Sequence, residues 1–154
     1  MYLKLLIFNH FDYLNKKYPS VFSAQLSKIK THFTRISEEV RGEKIPFMYQ
    51  HGDFNLHNII ENQRRLNIID WEDSVLSYPP ILDFFHLVTT LSHILNKNDE
   101  SLNDIGFLYG NNGYSVLAKN NFERYCNEIG VNKDILQKFY PVYLLNMAKK
   151  DLEV

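Results

Sequence analysis

Between Asn58 and Asp70 the chain has room for a tight hairpin and for little else. Asn58-Ile59-Ile60-Glu61 and Leu66-Asn67-Ile68-Ile69-Asp70 are short runs rich in apolar and β-branched residues, joined by the polar turn Asn62-Gln63-Arg64-Arg65. That pattern predicts two antiparallel strands, and a hairpin of this length returns Asp70 to the side of Asn58. The fold must therefore bring two polar clusters together. One is the octet His51-Gly52-Asp53-Phe54-Asn55-Leu56-His57-Asn58 before the first strand, and the other is Asp70-Trp71-Glu72 after the second. Asp, Asn and Gly are common turn residues, and His-Gly-Asp alone would read as an ordinary loop. With the second cluster arriving at a strand end, chance is a poor account of the pair.

His-x-Asp-x4-Asn, a short hairpin and then an Asp at a strand end resembles the catalytic and metal-binding segments of kinases. In its His-Gly-Asp and Asp-Trp-Glu form it is similar to the aminoglycoside phosphotransferase and choline kinase superfamily. Phosphoryl transfer asks the protein for little covalent chemistry and for much placement of charge. The resemblance implies that Asp53 is the catalytic base, accepting a hydrogen bond from the acceptor hydroxyl and taking its proton late. It implies that Asn58 and Asp70 bind Mg²⁺ and, through it, the phosphates of ATP. Glu72 lies two residues beyond Asp70. In an extended segment its side chain would point to the same side and reach a second ion; some members of the superfamily use the second acid in this way and others do not. His51 is expected to brace the loop, Gly52 to allow a tight backbone path, and His57 has no assigned role. A hydrolase with His51, Asp53, His57 and Asp70 around a metal is the competing reading. No His-x3-His helix signature or Cys/His ligand set supports it.

A third segment, Tyr78-Pro79-Pro80-Ile81-Leu82-Asp83-Phe84-Phe85, fits the same resemblance. There a Pro-containing turn followed by Asp and an apolar pair opens a helix after the metal strand, and the Asp ties its carboxylate to the catalytic-loop backbone. The plainer reading of Asp83 is an acid in a first helical turn, where negative charge suits the helix dipole. Both readings keep Asp83 out of the chemistry.

Composition sets bounds on the rest. At 154 residues with 45% hydrophobic content, one domain over residues 1–154 with one core is expected. A net charge of −1 with acids and bases intermixed gives no electrostatic footprint for nucleic acid or an anionic membrane. The single Cys126 has no partner for an internal disulfide and sits in an apolar helical pattern, which suits a buried thiol in a reducing compartment. Cytoplasm is the expected location. Met1 to Phe8 lacks a cleavage site, and no run approaches the ~20 apolar residues that span a bilayer.

Helices are expected over most of the chain. Residues 2–16 place Leu3, Leu6, Ile7, Phe11 and Leu14 on one face. Residues 21–41 do the same with Phe22, Leu26, Ile29, Phe33, Ile36 and Val40, bracketed by Ser20 and Gly42. A long helix from Ile81 presents Leu82, Phe85, Val88, Leu91 and Leu95 and ends in the polar run 96–100. Residues 107–120 read as a connector. The last two helices are expected over about 120–129, with Gly130 beyond its end, and about 133–150, with a kink at Pro141. Tyr140 and Tyr143 read as core or rim packing, in a region where late helices of the superfamily often line the acceptor pocket.

The 50 residues before His51 read as two helices and hold no Gly-rich loop or strand Lys for the phosphates. The resemblance therefore implies a mainly α, α+β protein-kinase-like C-terminal lobe with a small β-hairpin at the catalytic loop. The N-terminal nucleotide lobe is expected to be absent or to lie on a longer chain. The implied function is Mg²⁺-dependent transfer of the ATP γ-phosphoryl group to a hydroxyl of a small molecule such as an aminoglycoside, amino alcohol or sugar. The alternative is a catalytically incomplete lobe acting as a binding module or a coat-type structural protein, against which the intact Asp53, Asn58 and Asp70 argue.

Overall fold

The computed structural model describes residues 12, 13, 15–19, 26–77, 79–95, 110, 111 and 113–153. Most of the helix expected over 2–16, the cap Ser20, Phe22, Tyr78, the run 96–100 and the start of the expected connector lie outside them. The elements follow in the order α1 (Leu26–Glu39), β1 (Met48–Gln50), a 3-10 turn (Leu56–Asn58), β2 (Ile59–Asn62), β3 (Arg65–Ile68), β4 (Val75–Ser77), α2 (Leu82–Leu95), α3 (Gly113–Glu128), α4 (Lys133–Gln137) and α5 (Tyr140–Glu153). The chain divides into two compact units, residues 1–44 with 137–154, and residues 45–136.

In the first unit, α1 forms because Phe33, Ile36 and Val40 recur at three- and four-residue spacing and are buried, while Lys28, Thr31, Arg35 and Glu38 face solvent. Arg35 and Glu39 pair at i,i+4 on the exposed side. Gly42, at φ +91°, carries the chain away from the helix end in the left-handed region that only glycine enters freely. Tyr140 and Tyr143 are buried and stacked at 5.7 Å, so both are core residues. Where one kinked helix was expected over 133–150 there are two. Pro141 has no N–H to give and its ring collides with the carbonyl four residues back, so α4 stops at Gln137 and α5 restarts at Tyr140, with Pro141 in the first turn, where proline is tolerated.

The second unit carries the sheets. β2 and β3 pair antiparallel from Ile59 opposite Ile68 to Asn62 opposite Arg65. The connection is thus a two-residue turn, shorter than the four-residue turn expected, with Gln63 and Arg64 both at positive φ. Both central residues lie on the side of φ that a primed hairpin turn requires, the turn whose twist matches its strands. A second ladder was not expected: Met48 pairs with Ser77, Tyr49 with Leu76 and Gln50 with Val75. It is three residues long on each strand, too short for an alternation signal, and it fixes the entry of the octet against the exit of the hairpin.

Helices α2 and α3 close the unit around buried Phe85, Val88, Ala118, Phe122 and Cys126. Phe84 and Phe85 lie 5.2 and 5.5 Å from Phe122, and Phe84 stacks on Tyr125. Helix α3 begins at Gly113, inside the stretch expected as connector. The glycines and asparagines of residues 110–113 masked its start, whereas Ser115, Ala118, Phe122 and Cys126 continue one buried stripe. Gly130, at φ +69°, follows its end as expected. Among the described residues, no helix is long and apolar enough to cross a membrane.

Candidate active site

The ladder of β1 delivers the octet with its backbone already directed. Gln50 is buried at the end of β1, and its Oε1 accepts the N–H of Asp83 at 3.3 Å. The next two amides meet the same residue: His51 N–H donates to Asp83 Oδ2 at 2.6 Å and Gly52 N–H to Oδ1 at 2.9 Å. One carboxylate at the start of α2 thus takes two consecutive loop amides, charge-assisted bonds of the stronger kind. Upstream, the start of α2 is held in turn. Ser77 Oγ donates to the Pro79 carbonyl, and Tyr125 of α3 donates its hydroxyl to the Pro80 carbonyl at 2.5 Å. Burial pushes the Tyr125 phenol up to about 12, a shift the bond to Gln50 opposes.

His51 is 1% exposed and both ring nitrogens have partners. The Ile69 carbonyl, which can only accept, lies 2.6 Å from Nε2, so the proton sits on Nε2. Nδ1 then accepts the Asp53 N–H at 3.4 Å. This neutral tautomer links the loop to the end of β3, and the ring packs 4.7 Å from Trp71 and 5.9 Å from Phe54. Gly52 has φ +87°, and a Cβ there would run into the backbone carbonyl of Asp73. Glycine is required at this point by both conformation and space.

These supports converge on Asp53. Its side chain is 43% exposed, so a substrate can reach it, while the groups that hold it are more deeply buried. Asn58, buried in the 3-10 turn, donates Nδ2 to the Asp53 carbonyl at 2.9 Å and to Oδ2 at 3.1 Å. His86 of α2 donates Nε2–H to Oδ1 at 3.0 Å. Asn55 caps the 3-10 turn by accepting the His57 N–H, and His57 itself is exposed. With Nδ2 of Asn58 committed to Asp53, its Oδ1 is the atom left to face a cation.

The hairpin register places Ile69 opposite Asn58, with a bond of 3.0 Å from Ile69 N–H to the Asn58 carbonyl. Asp70 follows directly, exposed, at φ +63°. It is fixed from both flanks, by the bonds to Ile69 and by Trp71 Nε1–H donating to the Ile68 carbonyl at 3.0 Å. The chain does not stay extended beyond it. Trp71 to Ser74 form a turn closed by a 3.0 Å bond, with Glu72 and Asp73 at its centre. The extended spacing that would set Glu72 beside Asp70 is absent, and a metal role for Glu72 rests on the resemblance alone.

Among the described residues, no group of three or more His, Cys, Asp or Glu side chains converges to hold an ion. The residues the hairpin brings near one another are Asn58, with a hard amide oxygen, and Asp70, with a carboxylate, joined through the bond of Ile69 N–H to the Asn58 carbonyl. That set suits Mg²⁺, which keeps waters and takes one or two protein oxygens together with substrate phosphates. It does not suit the hydrolase reading, since His51 has no lone pair to spare and His57 points to solvent.

Sequence reasoning missed His86, Gln50 and Tyr125. The one signal for His86 was its spacing: three residues after Asp83, it lies on the same face of α2 as the loop brace. On a different face of the helix, Phe84, Leu87, Val88 and Leu91 line a groove of about 330 Å³ against α3.

Residues 16–118, more than half of the 154-residue chain, match the profile of the phosphotransferase enzyme family, and the chain belongs to that family. The fold is accordingly a kinase-like α+β lobe. No curated protein and no solved structure matches the chain.

Proposed function

We propose that the chain carries the catalytic base and metal-binding lobe of a small-molecule kinase, which moves the γ-phosphoryl group of ATP to a hydroxyl of an aminoglycoside, amino alcohol or sugar. The observation that carries this reading is the Asp53 carboxylate, reachable from solvent yet held by Asn58 and His86, with Asp70 emerging from the strand paired to Asn58. The acceptor oxygen forms a bond to the γ-phosphorus as the bond to the bridging oxygen breaks, and ADP leaves with that electron pair. The acceptor proton passes to Asp53. Asp53 orients the hydroxyl in line before it takes the proton, which suits the loose transition state of phosphoryl transfer. Asn58 and Asp70 would hold Mg²⁺, which when bound neutralises charge on the phosphate oxygens.

The test uses the protein as the cell makes it, with MgATP and kanamycin, choline or glucose as acceptor, read by ADP release. Asp53→Asn is expected to lower turnover by about 10²-fold or more with ATP affinity little changed. Asp70→Ala is expected to abolish turnover. Near-normal turnover of Asp53→Asn at saturating substrates would remove the base from this reading.

A further inference from the structure

We infer that His86 is the positioning residue for Asp53, a role that rests on the reading of Asp53 as the base. The chemistry follows from which atoms meet. His86 Nε2 lies 3.0 Å from Asp53 Oδ1, and Asn58 Nδ2 lies 3.1 Å from Oδ2. A carboxylate with one donor on each oxygen cannot rotate about its Cβ–Cγ bond without breaking one of them. Its plane is therefore fixed, and a remaining lone pair is aimed at the solvent side, from which an acceptor hydroxyl must come.

The two donors differ in origin. Asn58 lies on the same loop as Asp53, five residues on, whereas His86 stands on α2 and refers the carboxylate to the helix. The His86 side chain is 11% exposed against 43% for Asp53, so the supporting bond is sheltered while the reactive atom is not. Asp83, one helical turn earlier, holds the amides of His51 and Gly52. The same face of α2 thus fixes the backbone on the approach to the base through Asp83 and the base's side chain through His86. The imidazole supplies this contact from a rigid ring, as a directed N–H.

The role makes two claims that a purely structural histidine would not. Nε2 of His86 must carry a proton directed at Asp53, and losing the donor must disorder the Asp53 carboxylate without unfolding the loop. In ¹⁵N-labelled full-length protein, His86 is expected to show the Nε2–H tautomer with a slowly exchanging imidazole proton, and Asp53→Ala should abolish that protection. An Nδ1–H tautomer, or an imidazole proton whose exchange is unchanged by Asp53→Ala, would overturn the inference. In ADP release from MgATP with water as acceptor, His86→Leu is expected to lower turnover about 10- to 100-fold at unchanged KM for ATP. His86→Gln, which keeps an N–H donor, should recover most of the loss. If Asp53→Asn is impaired while His86→Leu turns over like the parent protein, His86 does not position the base. If Asp53→Asn is unimpaired, it is the assignment of the base that fails.

Discussion

The loop of residues 51–58 and the hairpin that follows it, residues 59–68, adjoin in sequence but are held by different means. In the loop, backbone amides and side chains are fixed by residues 18 to 33 positions away: Asp83 on His51 and Gly52, the Ile69 carbonyl on His51, and His86 on Asp53. In the hairpin the bonds are local rungs between β2 and β3. Ile60, Leu66 and Ile68 lie exposed, and Leu66 is 73% exposed. The loop depends on the rest of the unit for its shape, and the hairpin depends on its register and its turn. Asp53, in the role of base proposed for it, has to be aimed, and aiming requires reference points outside the segment that carries it. A strand pair that only returns Asp70 to Asn58 needs no such references.

The comparison is broken most severely at Gly52. Gly52→Ala is expected to destabilise the protein by about 2 kcal/mol or more, since an L-residue in the left-handed region costs about 1–2 kcal/mol and the Asp73 carbonyl must also move. Denaturant unfolding checks this, and a loss under about 0.5 kcal/mol would show that the loop can find another path. Next comes Asp83→Ala, which leaves two loop amides without their acceptor and should cost about 1–3 kcal/mol, with Asp83→Asn restoring part. A melting curve that does not move for Asp83→Ala would mean that water replaces the carboxylate.

A pH titration sharpens the contrast. Burial raises Tyr125 from 10.0 to about 12 and Cys126 from 9.0 to about 11. Both folded values lie above the unfolded ones, so the folded state holds more protons between them. The stability they contribute is complete below about pH 9 and is lost as pH rises through 11 and 12. Tyr125→Phe with Cys126→Ala should flatten that alkaline decline, followed by unfolding at each pH. The smallest effect belongs to the hairpin. Arg64→Gly relieves a positive φ of 63°, offset by the greater freedom of glycine when unfolded, for a net gain of about 0.5 kcal/mol. A loss of stability on that substitution would indicate that the Arg64 side chain contributes contacts beyond the turn.

Sequence alone reached what local pattern encodes. The hairpin was legible because β-branched runs flank a polar turn, and the joining of Asn58 to the end of β3 followed from strand length. Two of the turn's four expected residues belong to the strands, because propensity does not reveal that Gln63 and Arg64 adopt positive φ. The break before Pro141 was half legible: proline announced a disturbance, and only the structure shows a full stop at Gln137. The start of α3 was hidden by Gly110, Asn111, Asn112 and Gly113, residues that look like loop from outside. The extended spacing expected to set Glu72 beside Asp70 is absent, because the chain turns at Trp71 to Ser74. Tyr125 was illegible for a different reason, its partner lying 45 residues away, and His86, 33 residues from Asp53, left only the faint signal of its spacing from Asp83.

The double grip of Asp83 on His51 and Gly52 couples the timing of two segments as well as their positions. An amide exchanges with solvent only when its bond opens, and these two share one acceptor, the Asp83 carboxylate at the start of α2. The two amides are therefore expected to open together and to exchange more slowly than the outer rungs of β2 and β3, whose side chains Ile60, Leu66 and Ile68 lie exposed.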